Sequence, residues 1–141
     1  MHKIVYLGLL TVTPACLGVA LNPLLANIIG NNGGDGVLIL NQSNGNTVSG
    51  NAIGTNLAGS LDFGNGGAGV RIAGTSSNNL IGGEDLAAGN LIAYNNKGVI
   101  VGQDATDLSV GNTILNNSIY RNALPGIDLG NDGPTPNHAT N

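Results

Sequence analysis

Asp104 and Asp107 stand three residues apart in Q-D-A-T-D, close enough for one turn to offer two carboxylates to a cation, and Glu84-Asp85 forms a second acidic pair. A hard cation such as Ca²⁺ takes about six to eight oxygen ligands. Two carboxylates from one turn therefore make Asp104 and Asp107 only weak Ca²⁺ candidates, and surface turn acids are the simpler reading. The other acids are Asp35, Asp62, Asp128 and Asp132, spread along the chain rather than gathered. Tyr94 and Tyr120 occur in equivalent surroundings and would supply faces on which a sugar ring stacks, with Arg71 and Arg121 as cationic partners. Simple packing at a turn is the plainer account of the same tyrosines. His2 and His138 lie near the two ends, so no serine in the middle of the chain has a histidine nearby to activate it. No phosphate loop or dinucleotide motif is present, and no cofactor is implied. Four basic against eight acidic residues give a net charge of −4, which lacks the basic footprint of a nucleic-acid binder.

These residues must be positioned by a repeat. The stretch GNTVSGNAIG at 45–54 returns as GNTILNNSIY at 111–120, with a looser copy between them, and the leading Asn46, Asn79 and Asn112 are spaced 33 residues apart. A second element, Gly followed by alternating aliphatics, appears as GVLIL at 36–40, GVRIA at 69–73, GVIVG at 98–102 and GIDLG at 126–130. Period-two alternation is the strand signal. It predicts an inward set of Val37, Ile39, Val70, Ile72, Val99, Val101, Ile127 and Leu129. The intervening Leu38, Arg71, Ile100 and Asp128 are expected on the solvent side. The other segments add Val48, Ile53, Ile81, Ile92, Ile114 and Ile119 to the predicted core.

Three short strands per unit, joined by Gly/Asn turns, suit one coil of a parallel β-solenoid better than an antiparallel hairpin array. Parallel pairing stacks equivalent side chains about 4.8 Å apart. Three asparagine ladders follow as expectations: Asn46, Asn79 and Asn112; Asn51, Asn90 and Asn117; Asn56, Asn95 and Asn122. Asparagine suits both needs, because its amide bonds along a stack and its backbone tolerates left-handed corners. About four coils are expected, with inserts at 55–67 and 84–89 and a tail without strand pattern at 131–141. On this spacing Arg71 and Asp128 fall two coils apart, about 10 Å and too far for a direct pair. Thr47 and Thr113 share a column that Leu80 interrupts, so no regular threonine face is expected.

Residues 1–20 begin with a basic Met1-His2-Lys3, continue through an apolar run and end in small residues. That is the layout of a cleaved secretory signal peptide, and an apolar cap on one end of the solenoid fits the same residues. Pro14, Pro23 and several glycines interrupt the apolar stretch, so no transmembrane span is expected. Cys16 is the only cysteine, and without it packing alone must stabilise the domain.

The runs NNLIGG at 78–83, GNLIAYN at 89–95 and GIDLGNDGPTPN at 126–137 resemble the right-handed parallel β-helix repeat proteins of the pectin-lyase-like superfold. More narrowly, they resemble secreted bacterial members with NxIGG and GIDLGNDG repeats, and the likeness covers 26–137. The resemblance implies an all-β solenoid, export or surface display, and a piece of a longer solenoid. It leaves function open, because one coil type hosts lyases, hydrolases, epimerases and adhesins. Lyases of this superfold hold Ca²⁺ with several carboxylates beside an Arg or Lys base, and glycosidases need clustered carboxylates. No such column is found here. The expectation is a non-catalytic scaffold or adhesin-like module for glycans or proteins. A polysaccharide-active enzyme and an end-to-end fibre subunit are the alternatives, with polysaccharide or further copies of the chain as partners.

Overall fold

Glycine and asparagine punctuate the aliphatic runs so often that, among the described residues, no strand grows beyond five residues. The computed structural model describes residues 26–133. The segment 1–20, Cys16, His2 and His138 lie outside them. Eleven strands run in chain order: β1 (Ile28–Ile29), β2 (Val37–Ile39), β3 (Thr47–Val48), β4 (Ala52–Ile53), β5 (Ala68–Ile72), β6 (Leu80–Gly82), β7 (Leu91–Ala93), β8 (Lys97–Val101), β9 (Thr113–Leu115), β10 (Ser118–Tyr120) and β11 (Ile127–Leu129). A 3₁₀ turn, Leu86–Ala88, interrupts them.

The strands stack into three parallel sheets, ordered β1-β4-β7-β10, β2-β5-β8-β11 and β3-β6-β9. This is an all-β parallel solenoid of about three turns. Three coils of three strands are complete and β10 and β11 begin a fourth, which accounts for the expected count of about four. Register follows the repeat: Val37, Val70, Val99 and Ile127 pair in one column, and Ile39, Ile72, Val101 and Leu129 in another. Thr47, Leu80 and Thr113 pair in a third. Among the described residues no helix is long and apolar enough to cross a membrane.

The core is the inward column set Ile29, Ile39, Val48, Ile53, Val70, Ile72, Ile81, Ile92 and Val99, with Val37, Val101, Ile114 and Ile119 packed against it. Each fully buried aliphatic contributes about 1.5–3 kcal/mol before ordering costs. Two predicted core residues differ. Ile127 is 49% and Leu129 61% exposed, on a strand, β11, that has one paired neighbour among the described residues. Two predicted solvent-side residues differ in the opposite sense: Ile100 and Asp128 are buried. Asp128 is sealed by Lys97, whose Nζ donates to Oδ2 at 2.7 Å, and Gly133 N–H donates to its Oδ1. Asn131 accepts from the same Nζ at 2.7 Å, so the start of the tail is fastened to β8.

The glycine that opens each GVxI motif is a matter of spacing between coils. A Cβ on Gly98 would run into the Gly126 carbonyl oxygen, and one on Gly36 would reach the Gly69 carbonyl oxygen at 2.7 Å. Only hydrogen fits where one coil's backbone lies this close to the next.

Three polar ladders edge the sheets. In the first, Asn46 donates Nδ2 to Asn79 Oδ1 at 2.9 Å, and Asn79 donates to Asn112 at 2.9 Å. In the second, Asn51, Asn90 and Asn117 stack in the same sense, and Asn27 adds a member at the front. The third corrects the sequence reading. Asn65, not Asn56, bonds Asn95 at 2.7 Å, Asn95 bonds Asn122, and Asn32 leads the column. Asn56 lies inside the insert and accepts from Ser60 and Leu61 N–H instead. The insert leaves the coil after Gly54 and returns at Asn65, so its own first asparagine is carried off the stack. It closes on itself through a Thr55–Asp62 bridge and Phe63 N–H to Gly54 carbonyl.

Candidate functional site

Eight ladder asparagines directly follow a residue with left-handed backbone, and six of those corner residues are Gly or Asn: Asn31, Gly45, Gly50, Asn78, Gly111 and Asn116. The other two are Tyr94 (φ 62°) and Arg121 (φ 52°). A side chain of either kind costs about 1–2 kcal/mol in this conformation, which Gly and Asn escape. Tyr94 precedes Asn95 and Arg121 precedes Asn122, so the third ladder sets these corners one coil apart.

The geometry follows from that stacking. Arg121 Nη1 donates to the Tyr94 hydroxyl at 2.7 Å, and its guanidinium carbon lies 5.8 Å from the Tyr94 ring centroid. The hydrogen bond to Tyr94 is the main cause of a guanidinium pKa raised above its ordinary value. Tyr120 meets Tyr94 edge-on, with ring centroids 6.5 Å apart and planes at 66°, a favoured aromatic arrangement. The Tyr120 hydroxyl donates to the Gly59 carbonyl at 2.8 Å, tying the 55–64 insert to the last coil. Arg121 is exposed and both rings are half-buried. Two rings, a phenol and a guanidinium thus share one solvent-facing corner, able to stack on a ring and to donate hydrogen bonds.

The other singled-out residues fall elsewhere. Arg71 does not join this corner; its Nε holds Asp35 Oδ2 at 2.8 Å. Asp107 is committed to structure. Its carboxylate accepts from the Ser109 hydroxyl and from the backbone N–H of Ser109, Gln103, Gly74 and Thr75. Those donors, the Ser109 hydroxyl first, hold its pKa far below the usual carboxylate range. Asp104 is likewise lowered, by the Thr106 hydroxyl and N–H. An acid-lined recess of about 470 Å³ lies beside this loop, where Asp104, Asp107 and Asp132 meet Leu129. Among the described residues no three of His, Cys, Asp or Glu gather closely enough to hold a metal ion. A smaller groove of about 220 Å³, lined in part by Leu57, Ala87 and Leu91, lies where the two inserts approach.

Sequence reasoning missed Asn65, Asn27, Asn32 and a serine column. Ser43 N–H donates to Ser76 Oγ at 3.2 Å, and Ser76 N–H donates to Ser109 Oγ at 3.0 Å. The signal was available: Asn32 to Asn65 and each serine step span the same 33 residues as the first ladder. Compared with protein-family models, curated proteins and solved structures, the chain matches none of them.

Proposed function

We propose that the chain is a non-catalytic recognition scaffold, exported or surface-displayed, that presents the Tyr94–Tyr120–Arg121 corner to a glycan or to a glycan-like protein surface. The carrying observation is the placement of Tyr94 and Arg121 at left-handed corners directly before ladder asparagines, where the other left-handed ladder corners are Gly or Asn. Gln42 and Thr75 also have left-handed backbone but precede no ladder asparagine. Backbone strain of this kind persists where the side chain is wanted for something beyond folding. Half-buried aromatic rings beside an exposed guanidinium are suited to a sugar: rings stack on its apolar face, and the guanidinium donates to hydroxyl or carboxylate oxygens. The acids favour the non-catalytic reading. Asp35, Asp104, Asp107 and Asp128 are each engaged by donors within the coils and loops. The pectin-lyase-like resemblance belongs to the same reading, as kinship of coil type rather than of chemistry.

The test is binding and depolymerisation on the full chain against neutral and acidic polysaccharides, with and without Ca²⁺. Binding without new reducing or unsaturated ends is expected. Tyr94→Gly and Arg121→Gly, which relieve the corner strain, are expected to keep or raise thermal stability while weakening binding by about tenfold, or ~1.4 kcal/mol. Turnover of any polymer refutes the scaffold reading. Binding unchanged in both variants removes this corner from it.

A further inference from the structure

The asparagine ladders have a direction. In the described coils each ladder asparagine hands Nδ2, and in most cases also its backbone N–H, to the Oδ1 of the asparagine one coil nearer the C-terminus. Between coils, the amides of the last members, Asn112, Asn117 and Asn122, keep only the backward bond, to the carbonyls of Ser76, Ile81 and Ile92, that Asn65, Asn90 and Asn95 make alongside their forward one. Among the described residues, the backbone N–H of these three, the donor that would hand the ladder on, meets no acceptor. At the other end Asn27, Asn32 and Asn46 are exposed, and each presents an Oδ1 that accepts nothing among the described residues. Among the described residues, the last coil offers three donors and the first three acceptors, in the same three columns.

The apolar surface agrees. Ile81, Ile92 and Val99 are 0% exposed one coil in, whereas Ile127 is 49%, Leu129 61% and Leu124 51% exposed at the C-terminal coil. Strands β9, β10 and β11 each have a partner on one side only, and an open parallel edge is a template for another strand. At the front, Ile29, Ile39 and Val48 are 5–7% exposed, so the apolar area of a joint comes mainly from the C-terminal coil.

We propose that this C-terminal coil docks the N-terminal coil of a second copy of the chain, head to tail, extending all three ladders across the joint. A polar ladder selects this occupant. Two C-terminal coils brought face to face would set donors against donors, while a head-to-tail joint sets Asn112, Asn117 and Asn122 against Asn46, Asn27 and Asn32. Such a contact is heterologous and does not close, so it grows into short rods rather than stopping at a dimer. The inference rests on the fold and is independent of the glycan corner.

The experiment is sedimentation velocity on the full chain across a concentration series, using two blocked forms. Ile127→Glu charges the C-terminal coil at an exposed position. Gly33→Arg adds bulk to the first coil where a Cβ meets nothing within 4 Å. Circular dichroism melts establish that both forms fold. The expected result is that the unmodified chain more than doubles its weight-average mass with concentration, each blocked form stays monomeric, and their equal mixture gives dimers and nothing larger. A chain that stays monomeric at every concentration overturns the proposal. So does a dimer that survives Gly33→Arg but not Ile127→Glu, which would identify a C-terminal to C-terminal joint.

Discussion

The middle of the solenoid and its C-terminal coil are written in one repeat and end up in different physical states. Ile92 and Ile119 occupy the same column, yet Ile92 is 0% exposed and Ile119 is half-buried. Val99 and Ile127 repeat the contrast, at 0% and 49%. The residue types hardly change, so the difference lies in neighbours. A solenoid residue is buried by what lies above and below it. Among the described residues the C-terminal coil has a neighbour on one side only and is open there, whereas Ile29, Ile39 and Val48 of the first coil are 5–7% exposed. The repeat therefore specifies a column, and position along the stack decides what the column is worth.

The largest effect expected from this contrast is in the aliphatic columns. Ile92→Ala should destabilise by about 2–5 kcal/mol through lost burial and the cavity left behind. Ile127→Ala should cost less than about 1 kcal/mol, since half of that side chain already meets water. Chemical denaturation of the two variants checks this, and equal losses would mean that the C-terminal coil is covered in solution.

Next come the buried polar groups. Lys97→Met leaves the Asp128 carboxylate, 0% exposed, without its cation. Removing one partner of a buried pair costs about 3–5 kcal/mol, and the 17% exposure of Lys97 places the expected loss at the low end. Arg71→Met breaks a pair whose side chains are 23% and 15% exposed, and about 1 kcal/mol is expected there. Thermal melts at low and high salt separate the two, because the more exposed pair is the one that salt screens.

The ladders give a sharper version of the same test. Asn95→Ala removes bonds to Asn65, Asn122 and Ile53 and should cost about 2–3 kcal/mol by stranding buried groups. Asn56→Ala, in the insert, should cost under about 1 kcal/mol. A comparable loss at Asn56 would show that the insert helps hold the coils together.

The smallest expected effect is a pH dependence. Asp107 and Asp104 have folded pKa values below their unfolded ones. Their stabilisation is therefore complete above the unfolded value near 4 and is lost as pH falls below it toward the folded values. Stability should be level through neutral pH and decline in acid, and Asp107→Asn should flatten that decline. A decline untouched by Asp107→Asn would assign it to other carboxylates.

Much of this is legible in the sequence. The 33-residue steps of Asn46, Asn79 and Asn112 and the Val-x-Ile alternations determined an all-β parallel solenoid, its ladders and most of its core, because both patterns repeat at the scale of one coil. The Asn56 assignment failed where an insert broke the count: spacing is measured along the chain, and stacking is measured in space. The solvent-side reading of Asp128 failed for a related reason, since alternation states which face a side chain takes and not what later folds over that face.

The sequence by itself determined the coil, its period and the residue types that stack. Only the tertiary structure decided that Tyr94 and Arg121 meet at left-handed corners, that Lys97 reaches Asp128, and that Ile127 and Leu129 stay open to solvent. Local pattern encodes each strand's face and each turn's chirality. Contacts between residues some 30 positions apart, such as Lys97–Asp128 with 31 and Arg121–Tyr94 with 27, depend on how many residues each coil spends in its turns.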